Sequence, residues 1–404
     1  MLHVPHASQI FLRSWRCHPN LIFSAKTLGL NDNLSERNKL IGELNGKVDH
    51  IMKNYSGVGL RTFGLKSYYL LDTCYLDRWL QIAVTPAIEE LILIMFPEDK
   101  AYYYDFPFSH LFNRGGSSIN YLHLSYCVFR PTYGLNCLRS LFLYKVHITG
   151  HELGCLFSNS FALEQLELAD CKELNYLKIP CLLQRLSKLT VFGWEALQVI
   201  EIKAPNHLTF HYEGNNLARL SDGGLPFLHL KHLTVFLYTF PGAVSPAYDY
   251  LSLAYFLDAS PATLKVSQTR MEHDVISEDS SHLRQMPGHH HHDTIKNVKI
   301  IGFCSAKSMV ELTCHILENA TSLECLTLDT IYDGNNNPDR LSLVVAAAYE
   351  AENALPGYQE IHCRESPLYG EAGCYEALQL VPYKFRCRLI RIIQYLGVAC
   401  FLSY

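Results

Sequence analysis

No stretch of this 404-residue chain reaches the run of about 18 apolar residues that a membrane helix needs. The nearest, Leu389 to Leu402, is short and interrupted by Arg391 and Gln394. The first residues, Met1-Leu2-His3-Val4-Pro5-His6, show neither the basic nor the apolar region of a secretory signal. Charge is sparse, at 18% of residues, and the formal net value is -5. Lysine and arginine are scattered, so no nucleic acid and no anionic membrane is expected as a partner. The 14 cysteines lack the dense spacing of a secreted disulfide framework, and none forms a Cys-x-x-Cys pair. A reducing compartment, cytoplasmic or nuclear, is the expected location. What is abundant is apolar material, 49% of the chain, enough for a core and too much for a disordered polymer.

Motifs of catalysis are also missing. The chain has no Gly-x-Gly-x-x-Gly, P-loop, Gly-x-Ser-x-Gly or His-Glu-x-x-His sequence. The run His289 to His292 could grip a transition metal weakly, but consecutive histidines offer no fixed ligand geometry, and a solvated loop is the reading adopted. Cys363 and Cys374 are too far apart for a paired zinc motif. Cys127 and Cys171 read as buried structural thiols. The chain is therefore expected to be no enzyme, with no catalytic residue, no cofactor and no metal.

The positive signal is a repeat. Ile119-x-x-Leu122-x-Leu124-x-x-Cys127 and Leu163-x-x-Leu166-x-Leu168-x-x-Cys171 match the leucine-rich-repeat template through its ninth position. Leu138/Leu141/Leu143 and Leu323/Leu326/Leu328 match its first six. Looser versions stand at Leu60/Phe63/Leu65, Ile88/Leu91/Leu93, Leu186/Leu189/Val191, Leu230/Leu233/Val235 and Ile295/Val298/Ile300. Residues two apart point to the same side of a strand, and the apolar residue three earlier fills the turn before it. Such a unit cannot bury its face alone, so units must stack. The expected fold is α/β, a leucine-rich-repeat solenoid with a curved parallel sheet and a convex side of helices and short strands.

A second rhythm runs from Leu163 to Ile202. Leu163 and Leu186 are 23 residues apart, as are Leu174 and Leu197. This predicts two strands per coil, the second at Leu177-Lys178-Ile179 and Ile200-Glu201-Ile202, with a further coil opening at Leu208 to Tyr212. Helical spacing is seen at 38–54 (Leu40, Ile41, Leu44, Val48, Ile51), 72–83, 248–259 and 306–319. The strand expected after Pro261 is shortened, and residues 260–294 read as an irregular insert within a solenoid spanning 31–330. Residues 331–404 form a divergent tail with no clear period.

The segments Phe11 to Leu21, Lys47-Val48-Asp49-His50-Ile51, Leu80 to Pro86 and Phe161 to Leu168 resemble the plant, particularly grass-type, F-box/leucine-rich-repeat proteins, over roughly residues 8 to 330. That resemblance implies a receptor subunit of a cullin-type ubiquitin ligase. An F-box there docks on a Skp adaptor, and the repeats hold a substrate. Residues 1–30 match only the end of an F-box and the join after it. The Leu-Pro-rich start that carries most of the adaptor contact is absent, which counts against adaptor binding and leaves open a truncated repeat protein uncoupled from ubiquitin transfer.

Residues alternating with the buried leucines should face the concave side. They are Tyr121, His123, Phe142, Tyr144, Gln165, Glu167, Lys188, Thr190 and Phe192. Aromatic rings mixed with polar groups suit a protein-binding surface. The expected partner is a protein, either unidentified or a ubiquitination substrate.

Overall fold

The computed structural model describes residues 18–30, 37–56, 59–67, 73–96, 103–112, 118–192, 197, 199–203, 208–214, 219–220, 230–238, 249–257, 261–269, 284, 292–301, 307–329 and 343–345. The expectations for Phe11 to Cys17, His289 to His291, Cys363 and Cys374, and most of the 331–404 tail lie outside these residues. The chain divides into two compact units, Met1–Ala204 and Pro205–Tyr404.

The first unit holds β1 (Asn20–Phe23), β2 (Thr62–Ser67), β3 (Glu90–Met95), β4 (Tyr104–Phe106), β5 (Tyr121–Ser125), β6 (Cys127–Phe129), β7 (Ser140–Tyr144), β8 (Gln165–Ala169), β9 (Tyr176–Ile179), β10 (Lys188–Phe192) and β11 (Val199–Ile202). Its main sheet runs β1-β2-β3-β5-β7-β8-β10, every neighbouring pair parallel. The repeat positions explain this order. Phe63, Leu91, Leu122, Leu141, Leu166 and Leu189 are register partners in one row. Leu65, Leu93, Leu124, Leu143, Leu168 and Val191 form the next. None of them is more than 1% exposed. Each fully buried aliphatic side chain is worth about 1.5–3 kcal/mol, so the stacked rows are the unit's main stabilising element.

Backbone bonds lock the coils in step. The carbonyls of Pro19, Arg61, Glu89, Asn120, Arg139 and Glu164 each accept two N–H donors from consecutive residues of the next coil. The two-strand coils are present as well. β9 and β11 pair in parallel, with Leu177 opposite Ile200 and Ile179 opposite Ile202. β4 and β6 make a similar short pair that the sequence pattern did not announce.

The other layer of the first unit carries α1 (Arg37–Lys53), α2 (Thr73–Ala83), α3 (Phe108–Phe112) and α4 (Gly150–Phe157). On α1 the buried apolar positions are Leu40, Leu44, Val48 and Met52, a four-residue period that leaves Ile41 and Ile51 half-buried. Asp49 ties α1 to α2. It accepts from Trp79 Nε1 at 3.4 Å and pairs with Lys53 at 2.7 Å and Arg78 at 3.5 Å. Helix α4 begins with a capping box. Thr149 Oγ1 accepts from Glu152 N at 3.3 Å, and Glu152 Oε2 accepts from Thr149 N at 2.8 Å.

The second unit holds β12 (Leu208–Gly214), β13 (Arg219–Leu220), β14 (Leu230–Tyr238), β15 (Thr263–Thr269), β16 (Asn297–Ile301), β17 (Cys325–Asp329) and β18 (Leu343–Val345), with helices α5 (Ala254–Leu257) and α6 (Lys307–Asn319). Its sheet runs β12-β14-β15-β16-β17-β18, parallel until β18 joins antiparallel.

Three placements differ from expectation. β1 lies inside the 1–30 segment assigned to an F-box remnant, yet pairs with β2 and buries Leu21 and Phe23. β15 lies inside the proposed 260–294 insert and is a full seven-residue strand. Leu264 and Val266 alternate inward and supply enough apolar surface without the leading leucine of the template. Arg284, from the same segment, donates to buried Glu311 on α6 at 2.7 to 2.9 Å and to Asp249 at 2.8 and 3.0 Å. Among the described residues, no helix is long and apolar enough to cross a membrane.

Candidate functional site

In the first unit the side chains opposite the leucine rows make the open face of the sheet. The register places all nine expected residues on it in three rows. Tyr121, Ser140, Gln165 and Lys188 are successive partners in the first; His123, Phe142, Glu167 and Thr190 in the second; Ser125, Tyr144, Ala169 and Phe192 in the third. Gln165 and Lys188 are exposed; Tyr121, His123, Phe142, Tyr144, Glu167 and Phe192 are half-buried. Thr190 departs from expectation: it is only 4% exposed, and its hydroxyl has no hydrogen-bond partner among the described residues. Strand alternation fixes the side on which a residue emerges and says nothing of what covers it.

The rings cluster rather than stand alone. Phe142 lies between Tyr121, at 5.2 Å between centroids, and His123, at 5.6 Å. Cross-strand aromatic pairs of this kind stiffen a sheet face and present a flat apolar platform. Burial raises the Tyr121 hydroxyl pKa, and the carboxylates of Glu90 and Glu167 raise it further. Burial lowers the His123 pKa, assisted by Lys66, so its ring is neutral at physiological pH.

The second row extends further than expected. Ile92 is the partner of His123, Gly64 of Ile92, and Ile22 of Gly64. Gly64 leaves room there: a Cβ would stand 3.1 Å from Ile22 Cγ1, and Ile22 itself is 44% exposed. Glu90 joins the first row beside Tyr121, its Oε2 accepting from Thr62 Oγ1 at 3.0 Å. Applying the same alternation to the looser repeats at Leu60 and Ile88 would have found Glu90, Ile92 and Gly64.

A second cluster sits just past the strand ends. Tyr126, Lys145 and Asp170 are the non-glycine residues with left-handed φ, 50°, 50° and 51°, among the described residues. Each occupies the same position in its coil, immediately after β5, β7 and β8. Each directs its N–H to the next coil: Tyr126 to Tyr144 O, Lys145 to Ala169 O, Asp170 to Phe192 O, at 2.7 to 3.1 Å. That bond offsets the cost of a left-handed L-residue. Lys145 Nζ lies 5.0 Å from the Tyr144 ring centre and 5.3 Å from that of Tyr126, and donates to Tyr126 Oη at 3.0 Å. Burial alone would lower its pKa; the Tyr126 and Tyr144 hydroxyls outweigh burial and hold the ammonium above its ordinary range. Phe96 and Tyr103 pack on Tyr126 at 6.1 Å. No template position announces this group, because it depends on backbone conformation.

Neither cluster contains a nucleophile beside a base. Cys127 and Cys171 are buried, and burial pushes the Cys171 thiol up to about 12 and that of Cys127 well above its usual value. Both are thiols at neutral pH, with little nucleophilic character. His292 corrects the solvated-loop reading for its own position. It is fully buried and meets His315 Nε2 at 2.9 Å, while His315 Nδ1 faces Asn319 Nδ2 at 3.2 Å. Among the described residues, no group of three or more His, Cys, Asp or Glu side chains could hold a metal ion. What the open face offers is stacking area, hydrogen-bonding groups and charge, all of them means of recognition.

The family model described as At1g61320/AtMIF1, LRR domain, matches residues 51–225 and 225–355, well over half of the chain. No curated protein and no solved structure matches it.

Proposed function

The chain belongs to the At1g61320/AtMIF1 leucine-rich-repeat domain family of plants, and we propose that it is a non-enzymatic scaffold that docks a protein partner on the open face of its first unit. A leucine-rich-repeat domain suggests protein interaction as its coarse function. The observation that carries the finer reading is the contiguous second row, from Ile22 through Ile92, His123 and Phe142 to Glu167, with Tyr121 packed on Phe142. Aromatic anchors surrounded by polar groups are the composition of binding hot spots. A cytoplasmic or nuclear location is part of the proposal; the free, exposed Cys137 and Cys181 support it.

The finer assignment is a substrate receptor of a cullin-type ubiquitin ligase. It draws support from the resemblance of Phe161 to Leu168 and the other quoted segments to F-box/leucine-rich-repeat proteins. The placement of β1 in the sheet favours the second reading, a repeat scaffold uncoupled from ubiquitin transfer, because residues 20–23 are committed to the repeat stack.

Affinity capture on the tagged full chain tests both levels. Proteins retained by the wild type should be lost with Tyr121→Ala/Phe142→Ala and kept with Leu182→Ser, at an exposed position between β9 and β10. Retention by the double variant contradicts docking on this face. A Skp adaptor among the captured proteins favours the ligase reading; its absence favours the uncoupled one.

A further inference from the structure

The open face has a charge pattern that narrows what it can hold. Glu167 is the register partner of Phe142, and Glu90 that of Tyr121, so a carboxylate stands beside each ring of the tilted aromatic pair, on opposite flanks. Glu90 is partly engaged by Thr62. Glu167 is half-buried and has no hydrogen bond or ion pair among the described residues. The nearby cations do not neutralise it. Lys188, one row away on β10, is likewise unpaired. Lys66 is the partner of Ile94, a row beyond His123. Lys145 is committed to Tyr126 and Asp170 past the strand ends. Neutral His123 adds ring surface without charge.

A half-buried carboxylate beside an aromatic face is incompletely compensated, and the group that compensates both at once is a planar cation. A guanidinium stacks on a ring through its face and donates in a fork to a carboxylate, which an ammonium cannot do. We propose that Tyr121, Phe142 and Glu167 form a receptor for an arginine side chain presented by the partner protein, with Glu90 adding negative potential on the far flank. The inference rests on the docking reading above and names the chemistry of its central contact.

The test needs no knowledge of the partner. Saturation-transfer NMR on the full chain, titrated with Nα-acetyl-arginine methylamide, its citrulline analogue and its lysine analogue, reads weak binding directly. Citrulline keeps the shape of arginine and removes the charge. The arginine compound should bind, with the citrulline and lysine analogues about ten-fold weaker. Glu167→Gln should weaken arginine binding about ten-fold, and Phe142→Ala several-fold. Glu43→Gln, which changes net charge equally at an exposed position on α1, should leave it unaltered. Circular dichroism confirms that each variant is folded. Equal binding of citrulline or lysine, equal loss in Glu43→Gln, or no saturation at all overturns the proposal. If partner capture still depends on Tyr121 and Phe142 while this test fails, the docking face stands and only the guanidinium assignment falls.

Discussion

Leu166→Ala is the perturbation that interrogates the stack most sharply. Leu166 sits on β8, 1% exposed, with Leu141 of β7 on one side and Leu189 of β10 on the other as register partners. Removing its side chain leaves a cavity bordered by two coils, and rigid neighbouring backbones limit collapse into it. Leu→Ala changes in well-packed interiors cost about 2.7–5 kcal/mol, and confinement between two coils puts this one in the upper half of the range. In a solenoid each repeat is stabilised through its interfaces with the adjacent repeats, so a single cavity weakens two interfaces together. Urea unfolding followed by circular dichroism should show the midpoint lowered in proportion to that loss. Gln165→Ala, one residue earlier and exposed, should change stability by less than about 0.5 kcal/mol. A loss below about 1 kcal/mol for Leu166→Ala would refute the close-packed row.

Three further outcomes follow from local geometry. Thr149→Ala removes the capping box of α4 and should cost about 1 kcal/mol in the same assay. Gly134→Ala would place a Cβ 2.5 Å from Leu156 O and 2.7 Å from Asn159 N, both backbone atoms that cannot step aside; a destabilisation of at least about 1–3 kcal/mol is expected in thermal unfolding. The depressed pKa of His123 means that the unfolded chain binds its proton more readily than the folded one. Its neutral form therefore contributes fully above the ordinary histidine value of about 6.5, and stability falls as pH drops below it. His123→Gln should flatten that part of the stability–pH profile relative to the wild type.

Much of the fold was legible because a two-residue alternation with a fixed apolar residue three positions earlier has one physical solution. The 23-residue spacing marks the places of β9 and β11 in the sequence itself, and the register joins Leu177 to Ile200 as expected. The helices at 73–83 and 307–319 were equally plain from their apolar spacing. Other elements were harder to read for identifiable reasons. β1 is a four-residue strand whose two inward side chains suffice only because β2 lies beside it. Helix α4 carries only a short local signal, Thr149-Gly150-His151-Glu152 before an apolar run, the signature of a capping box. The side of the sheet on which the candidate residues emerge followed from alternation; the burial of Thr190 and the aromatic cage around Lys145 depend on neighbouring coils and on left-handed turns, which alternation does not encode.

Site-specific photocrosslinking tests the central claim most directly. A benzoylphenylalanine placed at position 142, on the open face, and another at position 182, between β9 and β10, report which surface a partner touches in the native tissue extract. Crosslinked protein should form from position 142, disappear when Tyr121→Ala is added, and be missing from position 182. Crosslinks confined to position 182 would contradict docking on the open face.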